Sequence, residues 1–260
     1  MTGLAVNCLG VGDGWPCADR RHSAFVYRAG RTSILIDCGE GVSGAFKASG
    51  LGCDTVDALF LSHLHADHVG GFPMLVQGFW LEGRRKPLIV RAPAEGLAPL
   101  QGVLRAGYLF DEVLPFRLAF EPLVPGRAVK VGDVRVTPFH TSHLDRLRQR
   151  GLGEPGRGFE AFSFLIETPG RRIGHSADIG APKDLDPLLA QPLDLLLCEL
   201  AHGEPEALLA RLRQASIRQV VFMHLARSFW EHLSATRRLL RRGLGEIPFV
   251  IAKDGTEVCV

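Results

Sequence analysis

Four side chains able to hold a metal stand within six positions of Ser62-His63-Leu64-His65-Ala66-Asp67-His68-Val69-Gly70-Gly71. The run Asp57-Ala58-Leu59-Phe60-Leu61, apolar apart from its first residue and of the length of a buried strand, leads into the stretch. Two glycines and the apolar segment Phe72–Leu81 lead out of it. The stretch therefore lies where a strand ends and a helix begins, which is where open α/β sheets collect ligands. His63 and His65 are two apart and can point to one side of an extended turn, whereas the adjacent Asp67 and His68 diverge. That divergence suits two neighbouring metal ions better than one. Imidazoles with a carboxylate favour zinc, and iron or manganese accept the same donors. A solvated loop gains nothing from four such groups packed behind a buried strand, so the stretch reads as a metal-binding loop.

Strand patterns run over Leu4–Leu9, Ala24–Tyr27, Ser33–Asp37, Leu88–Arg91, Val129–Val131, Val134–Phe139, Phe162–Glu167, Arg171–Ser176, Leu193–Cys198, Val220–Met223, Phe249–Ala252 and Glu257–Val260. A short strand with irregular flanks is expected within Val113–Leu123. Helices are expected over Val42–Ser49, Pro93–Gly107, Asp184–Ala190 and Glu204–Gln214, with a last one capped by Ser234 and ended at Gly243. Strands then a helix, twice over, predict two packed sheets with helices outside, in a single domain over residues 1–260. The segment Leu144–Glu160 is rich in Arg and Gly, and loops of that length inside a compact domain are functional or disordered.

The net charge of +2 provides no global field for nucleic acid or a membrane. No charged-then-apolar leader and no long apolar run is present, which predicts a cytosolic protein without membrane contact. The six cysteines, Cys8, Cys17, Cys38, Cys53, Cys198 and Cys259, include no C-x-x-C pair. Neither a zinc knuckle nor a disulfide framework is expected, and buried thiols are.

His63-x-His65-x-Asp67-His68 resembles the signature of the metallo-β-lactamase superfamily. Leu9-Gly10-Val11-Gly12-Asp13-Gly14, Ile34-Leu35-Ile36-Asp37-Cys38-Gly39-Glu40-Gly41 and Ala252-Lys253-Asp254-Gly255 resemble the branch of the tRNA 3′-processing endonucleases (ribonuclease Z) and cyclic phosphodiesterases. These landmarks run along nearly the whole chain. The resemblance implies an α+β fold, the four-layer αβ/βα sandwich, in agreement with the element order. It also implies two divalent metal ions. His63, His65 and His143 would hold one, Asp67, His68 and His224 the other, and Asp178 would bridge them.

His143, Asp178 and His224 each follow a predicted strand, although Asp178 could also cap a turn and His224 could be a core histidine. His140 competes with His143, and the form Thr-Ser-His after Pro138-Phe139 favours His143. Asp37 is expected to hydrogen-bond backbone near the metal loop, and His22, His175 and His232 to be structural or on the surface. The cysteine cluster that binds an extra zinc in some phosphodiesterases of the branch is lacking.

In the tRNA-processing relatives a Glu orients a His that protonates the leaving group. Glu199 and His202 stand in the corresponding turn, with a shorter link between them and with Cys198 where the relatives carry a His. Together with Asp67, these are the expected catalytic residues. Two divalent ions, two carboxylates and a bridging hydroxide leave a charge of about +1, which a phosphodiester would neutralise. The expected function is a dinuclear metal-dependent phosphodiesterase with a metal-bridging hydroxide as nucleophile, acting on a small anionic substrate. The alternatives are lactone or thioester hydrolysis, and a non-catalytic metal-binding or carrier protein of cofactor biosynthesis. No insertion matches the long arm with which the relatives grip tRNA, which argues against tRNA; RNA bound through another surface stays open, as does a homodimer. Arg146, Arg148, Arg150 and Arg157 form either a solvated basic loop or a cover that meets an anionic substrate. Arg237, Arg238, Arg241 and Arg242 read as a solvated helix face.

Overall fold

The computed structural model describes residues 3–153 and 157–260. Its strands are β1 (Leu4–Gly10), β2 (Ala24–Ala29), β3 (Thr32–Ile36), β4 (Ala58–Phe60), β5 (Leu88–Ala92), β6 (Leu118–Pro122), β7 (Val129–Val131), β8 (Val134–His140), β9 (Phe162–Thr168), β10 (Arg171–His175), β11 (Leu195–Leu200), β12 (Val220–Leu225), β13 (Phe249–Ile251) and β14 (Glu257–Cys259). Its helices are α1 (Val42–Ala48), α2 (Ala66–Val69), α3 (Phe72–Leu81), α4 (Leu97–Ala106), α5 (Asp145–Gln149), α6 (Asp186–Leu189), α7 (Pro205–Arg213), α8 (Arg227–Glu231) and α9 (Leu233–Leu244).

The strands form two seven-stranded sheets, ordered β14-β1-β2-β3-β4-β5-β6 and β13-β12-β11-β10-β9-β8-β7. Each sheet has an antiparallel half built from hairpins and a parallel half, β3 to β6 in one and β10 to β13 in the other. The alternation of side chains along a strand assigns the layers. Ile34, Ile36 and Phe60 face the second sheet, where they share a core with Phe162, Phe164, Ile173, Leu197 and Phe222. Leu35 and Leu59 point the other way, into a second core with Phe46, Leu75, Phe79 and Leu104 of α1, α3 and α4. Leu208, Leu212, Leu240 and Leu244 of α7 and α9 join the core on the side of the second sheet. The result is the expected α+β four-layer sandwich. Parallel strands are covered on both faces, which is why they read as continuous apolar runs.

Several elements differ from the sequence reading. The segment Pro93–Gly107 divides into a 3-10 turn, Ala94–Gly96, and α4, and that of Asp184–Ala190 into a 3-10 turn, Pro182–Leu185, and α6. Helices α5 and α8 are short and were not expected. Ser234 lies inside α9, whose N-cap is His232, and the helix ends at Gly245 rather than Gly243. Gly243 is a packing position: a Cβ there would stand 2.6 Å from Leu209 Cδ1 of α7. Cys8, Cys38 and Cys198 are buried thiols as expected, whereas Cys17 and Cys53 are half-buried and Cys259 is exposed; all six are free. Among the described residues no helix is long and apolar enough to cross a membrane.

Arg84 is fully buried between the turns that precede β4 and β5. Its guanidinium donates to Val56 O at 2.7 Å, Lys86 O at 2.7 Å, Pro87 O at 2.9 Å and also to Cys53 O. Arg84→Met removes every one of these donors while roughly keeping the volume. Urea unfolding of the variant is expected to show a loss of roughly 2–4 kcal/mol, because buried carbonyls are left without partners.

Candidate metal centre

The loop after β4 is held from below by Asp37, which follows β3. Asp37 accepts hydrogen bonds from Ser62 N at 2.7 Å, Ser62 Oγ at 2.9 Å and His68 Nδ1 at 2.7 Å. Ser62 Oγ in turn stands 3.0 Å from His63 Nδ1 and accepts its proton. Both rings are thereby fixed in the tautomer that leaves Nε2 free to face the centre. The backbone bonding expected of Asp37 is present, and its bond to His68 was not foreseen. Two glycines let the loop settle. A Cβ on Gly39 would lie 2.2 Å from Asp67 O, and one on Gly71 would lie 2.1 Å from Gly39 O.

Among the described residues, five non-glycine residues have positive φ, and Asp37 (60°), Ala177 (46°) and His224 (50°) all belong to this centre. Such a conformation persists only where surrounding bonds over-determine it. Here Asp37 N donates to Phe60 O and His224 N donates to Val11 O, both at 2.8 Å.

The structure brings all seven predicted metal ligands together. His65 Nδ1 lies 3.1 Å from both His63 Nε2 and His143 Nε2. Asp178 Oδ2 faces this group, 3.8 Å from His63 Nε2 and 3.6 Å from His143 Nε2. On its other side, Asp178 Oδ1 lies 3.3 Å from His68 Nε2 and 3.5 Å from His224 Nε2. Asp67 Oδ2 closes that second group, 3.1 Å from His224 Nε2 and 3.4 Å from His68 Nε2. Nitrogen lone pairs crowded this way cannot all be satisfied by one another's protons. The buried Asp178 Oδ1 also makes no hydrogen bond. A cation in each group satisfies both conditions, so the donor set fits divalent metal.

The two groups differ electrostatically. Burial first, and then the neighbouring imidazoles, hold His63 and His65 below the usual histidine value and bring His143 to about 4. Burial acts against protonation at His68 and His224 as well. There, however, Asp178 with Asp37 or Asp67 outweighs it and raises both.

The loops carrying His143 and Asp178 are tied together. Thr141 Oγ1 donates to Asp178 O at 2.8 Å. Asp184 accepts from Ser142 N at 2.9 Å, Ser142 Oγ at 2.8 Å and Gly180 N at 2.8 Å. Asp184 was not foreseen; the only sequence sign was an acidic residue six positions beyond Asp178.

Glu199 is the penultimate residue of β11 and fully buried, not part of a turn. It accepts from Ile179 N, Ala201 N, His202 N and His202 Nδ1, the last two at 3.0 Å. His202 precedes α7, which starts at Pro205, and so does not begin that helix. Its Nδ1 stands 3.8 Å from Asp178 Oδ2, and its ring centroid is 4.6 Å from that of His143. Burial opposes the charged ring, but the bond and charge of Glu199, with Asp178 behind, raise His202 to about 9.

His140 lies apart, its Nε2 3.4 Å from Arg148 Nη2. His22 Nδ1 stands 2.7 Å from Asp13 O, and His175 Nδ1 stands 2.7 Å from the Tyr27 hydroxyl in the core. Arg148 staples its own loop through Gly158 O and Phe159 O, and Arg157 lies 3.6 Å from Glu95, while Arg146 and Arg150 are exposed. Residues 154–156 of that loop lie outside the described residues.

Residues 32–225 match the Beta-lactamase superfamily domain. The chain thus belongs to the metallo-β-lactamase superfamily, a family of metal-dependent hydrolases, with a centre built for divalent metal. Within it the chain stands in the ribonuclease Z branch: it is 33% identical to ribonuclease Z of Methanosarcina acetivorans, over 86% of this chain and 88% of that one. The matches to two other ribonucleases Z, of Bradyrhizobium and Methanothermobacter thermautotrophicus, span about half the length of those relatives, 50% and 45%. The fold is that of the metallo-β-lactamase fold protein YhfI from Bacillus subtilis (TM-score 0.78, 18% identity, 100% of both chains). It is also that of the short form of human tRNase Z (TM-score 0.73, 19% identity, 98% of both chains).

Because His68 and His224 favour protons in the metal-free protein, metal loading must displace them. Titrating zinc into apoprotein by calorimetry in two buffers of different ionisation enthalpy is expected to show net proton release. The uptake should weaken as pH falls.

Proposed function

We propose that this chain is a dinuclear metal-dependent phosphodiesterase, folded as one domain and working in the cytosol. His63, His65 and His143 would hold one divalent ion and Asp67, His68 and His224 the second, with Asp178 shared between the two groups. The observation that carries this reading is the placement of Asp178, one carboxylate oxygen turned to each group of imidazoles. Zinc suits the donors best, with manganese or iron as substitutes. When bound, the ions supply an activated water at neutral pH and positive charge for a phosphate.

The chain's own residues supply the rest. Asp67 turns Oδ2 to His224, which leaves its other oxygen to accept a hydrogen bond from the attacking water. Glu199 shifts His202 toward its protonated form, and the ring stands beside both groups of ligands, where it can pass a proton to a departing alkoxide. Glu199 holds the ring by Nδ1, so the proton offered to the leaving group is the one on Nε2. A phosphodiester with an alkoxide leaving group makes use of such a donor. The ribonuclease Z relatives support the same substrate class, with a small phosphodiester as the first candidate and RNA as the larger one.

Elemental analysis after zinc or manganese reconstitution is expected to give about two ions per chain. Asp178→Ala should lower occupancy of both sites, whereas His224→Ala should chiefly empty one. A ratio that stays at one in the native protein would sink the dinuclear assignment.

His202→Ala is expected to keep its metals and its fold and to lose about 10²–10⁴-fold in kcat on alkyl phosphodiesters. Nitrophenyl esters, whose leaving group needs little protonation, should lose much less. Equal losses on both would remove His202 from the role of acid.

A further inference from the structure

The segment between Gly12 and His22 arches over one edge of the centre. It is pinned at both ends by the Gly12–His22 bridge and by the contact of His22 Nδ1 with Asp13 O. Gly14 is close enough to the centre that a Cβ there would stand 3.5 Å from Asp67 Oδ2. The next residue, Trp15, is 56% exposed, although a large aromatic side chain on a water-facing loop contributes nothing to the core.

Trp15 is nonetheless held in place. The Arg227 guanidinium, three residues beyond His224, stacks on its ring at 5.0 Å. Below it, Arg20 stacks on Trp230 at 4.6 Å and donates to Cys17 Sγ at 3.0 Å. Both guanidiniums are already paired, Arg227 with Glu231 at 2.6 Å and Arg20 with Asp19 at 2.8 Å. They are therefore poor candidates to take a phosphate. What the rim offers is an indole face, braced by a cation and open to water, one residue beyond the Gly14 that borders Asp67. Such a surface is matched by a flat heteroaromatic ring rather than by an acyl chain or a second anion.

We infer that Trp15, braced by Arg227, is a stacking subsite for the base of a nucleotide-type phosphodiester. The inference rests on the phosphodiesterase reading above and narrows its substrate class. The metal centre takes the phosphate, and Trp15 selects substrates that carry a nucleoside on the side of Asp67 and His224.

Two diesters with the same leaving group test it: thymidine 5′-(para-nitrophenyl phosphate) and methyl para-nitrophenyl phosphate. With metal-loaded protein, Trp15→Ala is expected to raise KM for the thymidine ester roughly tenfold or more, the scale of losing one base stack. Its kcat should change little, and the methyl ester should be unaffected. Trp15→Phe should recover most of the affinity. A readout without turnover is quenching of tryptophan fluorescence by thymidine 5′-monophosphate, expected in the native protein and lost in Trp15→Ala. KM changes that are equal for the two esters, or absent for both together with unchanged quenching, would overturn the subsite. Quenching that depends on Trp15 in a protein that cleaves neither ester would uphold the subsite and remove the phosphodiesterase reading instead.

Discussion

The structure depends on holding one carboxylate, that of Asp178, between two groups of imidazoles that would otherwise scatter. Its oxygens lie 3.3–3.8 Å from four histidine nitrogens, inside a pocket where neither the carboxylate nor the rings are well solvated. Bringing so many lone pairs together costs free energy until a cation arrives. The cost is carried by the scaffold: Asp37 and Ser62 under the first group of ligands, Asp184 and Thr141 between two loops, and left-handed backbone at Asp37, Ala177 and His224. The ligands come from both sheets, with His63 to His68 after β4, His143 and Asp178 after strands of the second sheet and His224 near the end of β12. The centre therefore exists only when the two sheets are packed, and whatever binds it stabilises that packing.

This division explains what could be read from the sequence. The metal loop was legible because its ligands are local, packed into six residues behind an apolar strand. His143, Asp178 and His224 were legible only as residues at predicted strand ends, with the family resemblance to pair them. The sandwich followed from period-two strands and the order of elements, and the apolar segment Phe72–Leu81 is helical over its whole length. The misplaced features were set by contacts distant in sequence. Gly243 looked like a helix stop, but its missing side chain admits Leu209 from another helix. Arg84 received no reading of its own from the sequence, yet it is wholly buried on carbonyls from Cys53 to Pro87. Nothing local marks such a residue, because the carbonyls it satisfies are gathered only by the fold.

The departure at Glu199 and His202 resolves in the same way. A short link between them looked like a weakness when the pair was read as two residues of one turn. Glu199 instead sits on the strand, buried, and the chain turns so tightly behind it that its carboxylate receives the amides of Ala201 and His202 as well as the His202 ring. The short link is thus what lets one carboxylate hold both the turn and the imidazole. Cys198 points into the core, where burial first and the Glu199 charge second keep the thiol protonated. It takes no part in the site.

The two sheets repeat one plan, an antiparallel hairpin followed by parallel strands, and the repeats support their loops in different ways. In the first sheet the carboxylate that follows the first parallel strand, Asp37 after β3, is occupied by the loop beyond the second, through Ser62 and His68. In the second sheet the arrangement is reversed. Glu199, on the second parallel strand, accepts Ile179 N and so fixes the loop beyond the first. The place that corresponds to Asp37 is Ser176: its N donates to Leu197 O as Asp37 N donates to Phe60 O, and its Oγ accepts Glu199 N as Asp37 Oδ1 accepts Ser62 N. Asp178 lies two residues further on, its Oδ1 without a hydrogen bond, and left-handed backbone at Ala177 turns it toward the histidines. The supporting position thus carries a carboxylate in one half of the chain and a hydroxyl in the other, where Glu199 fixes the loop instead. The two halves differ in which strand carries the supporting carboxylate.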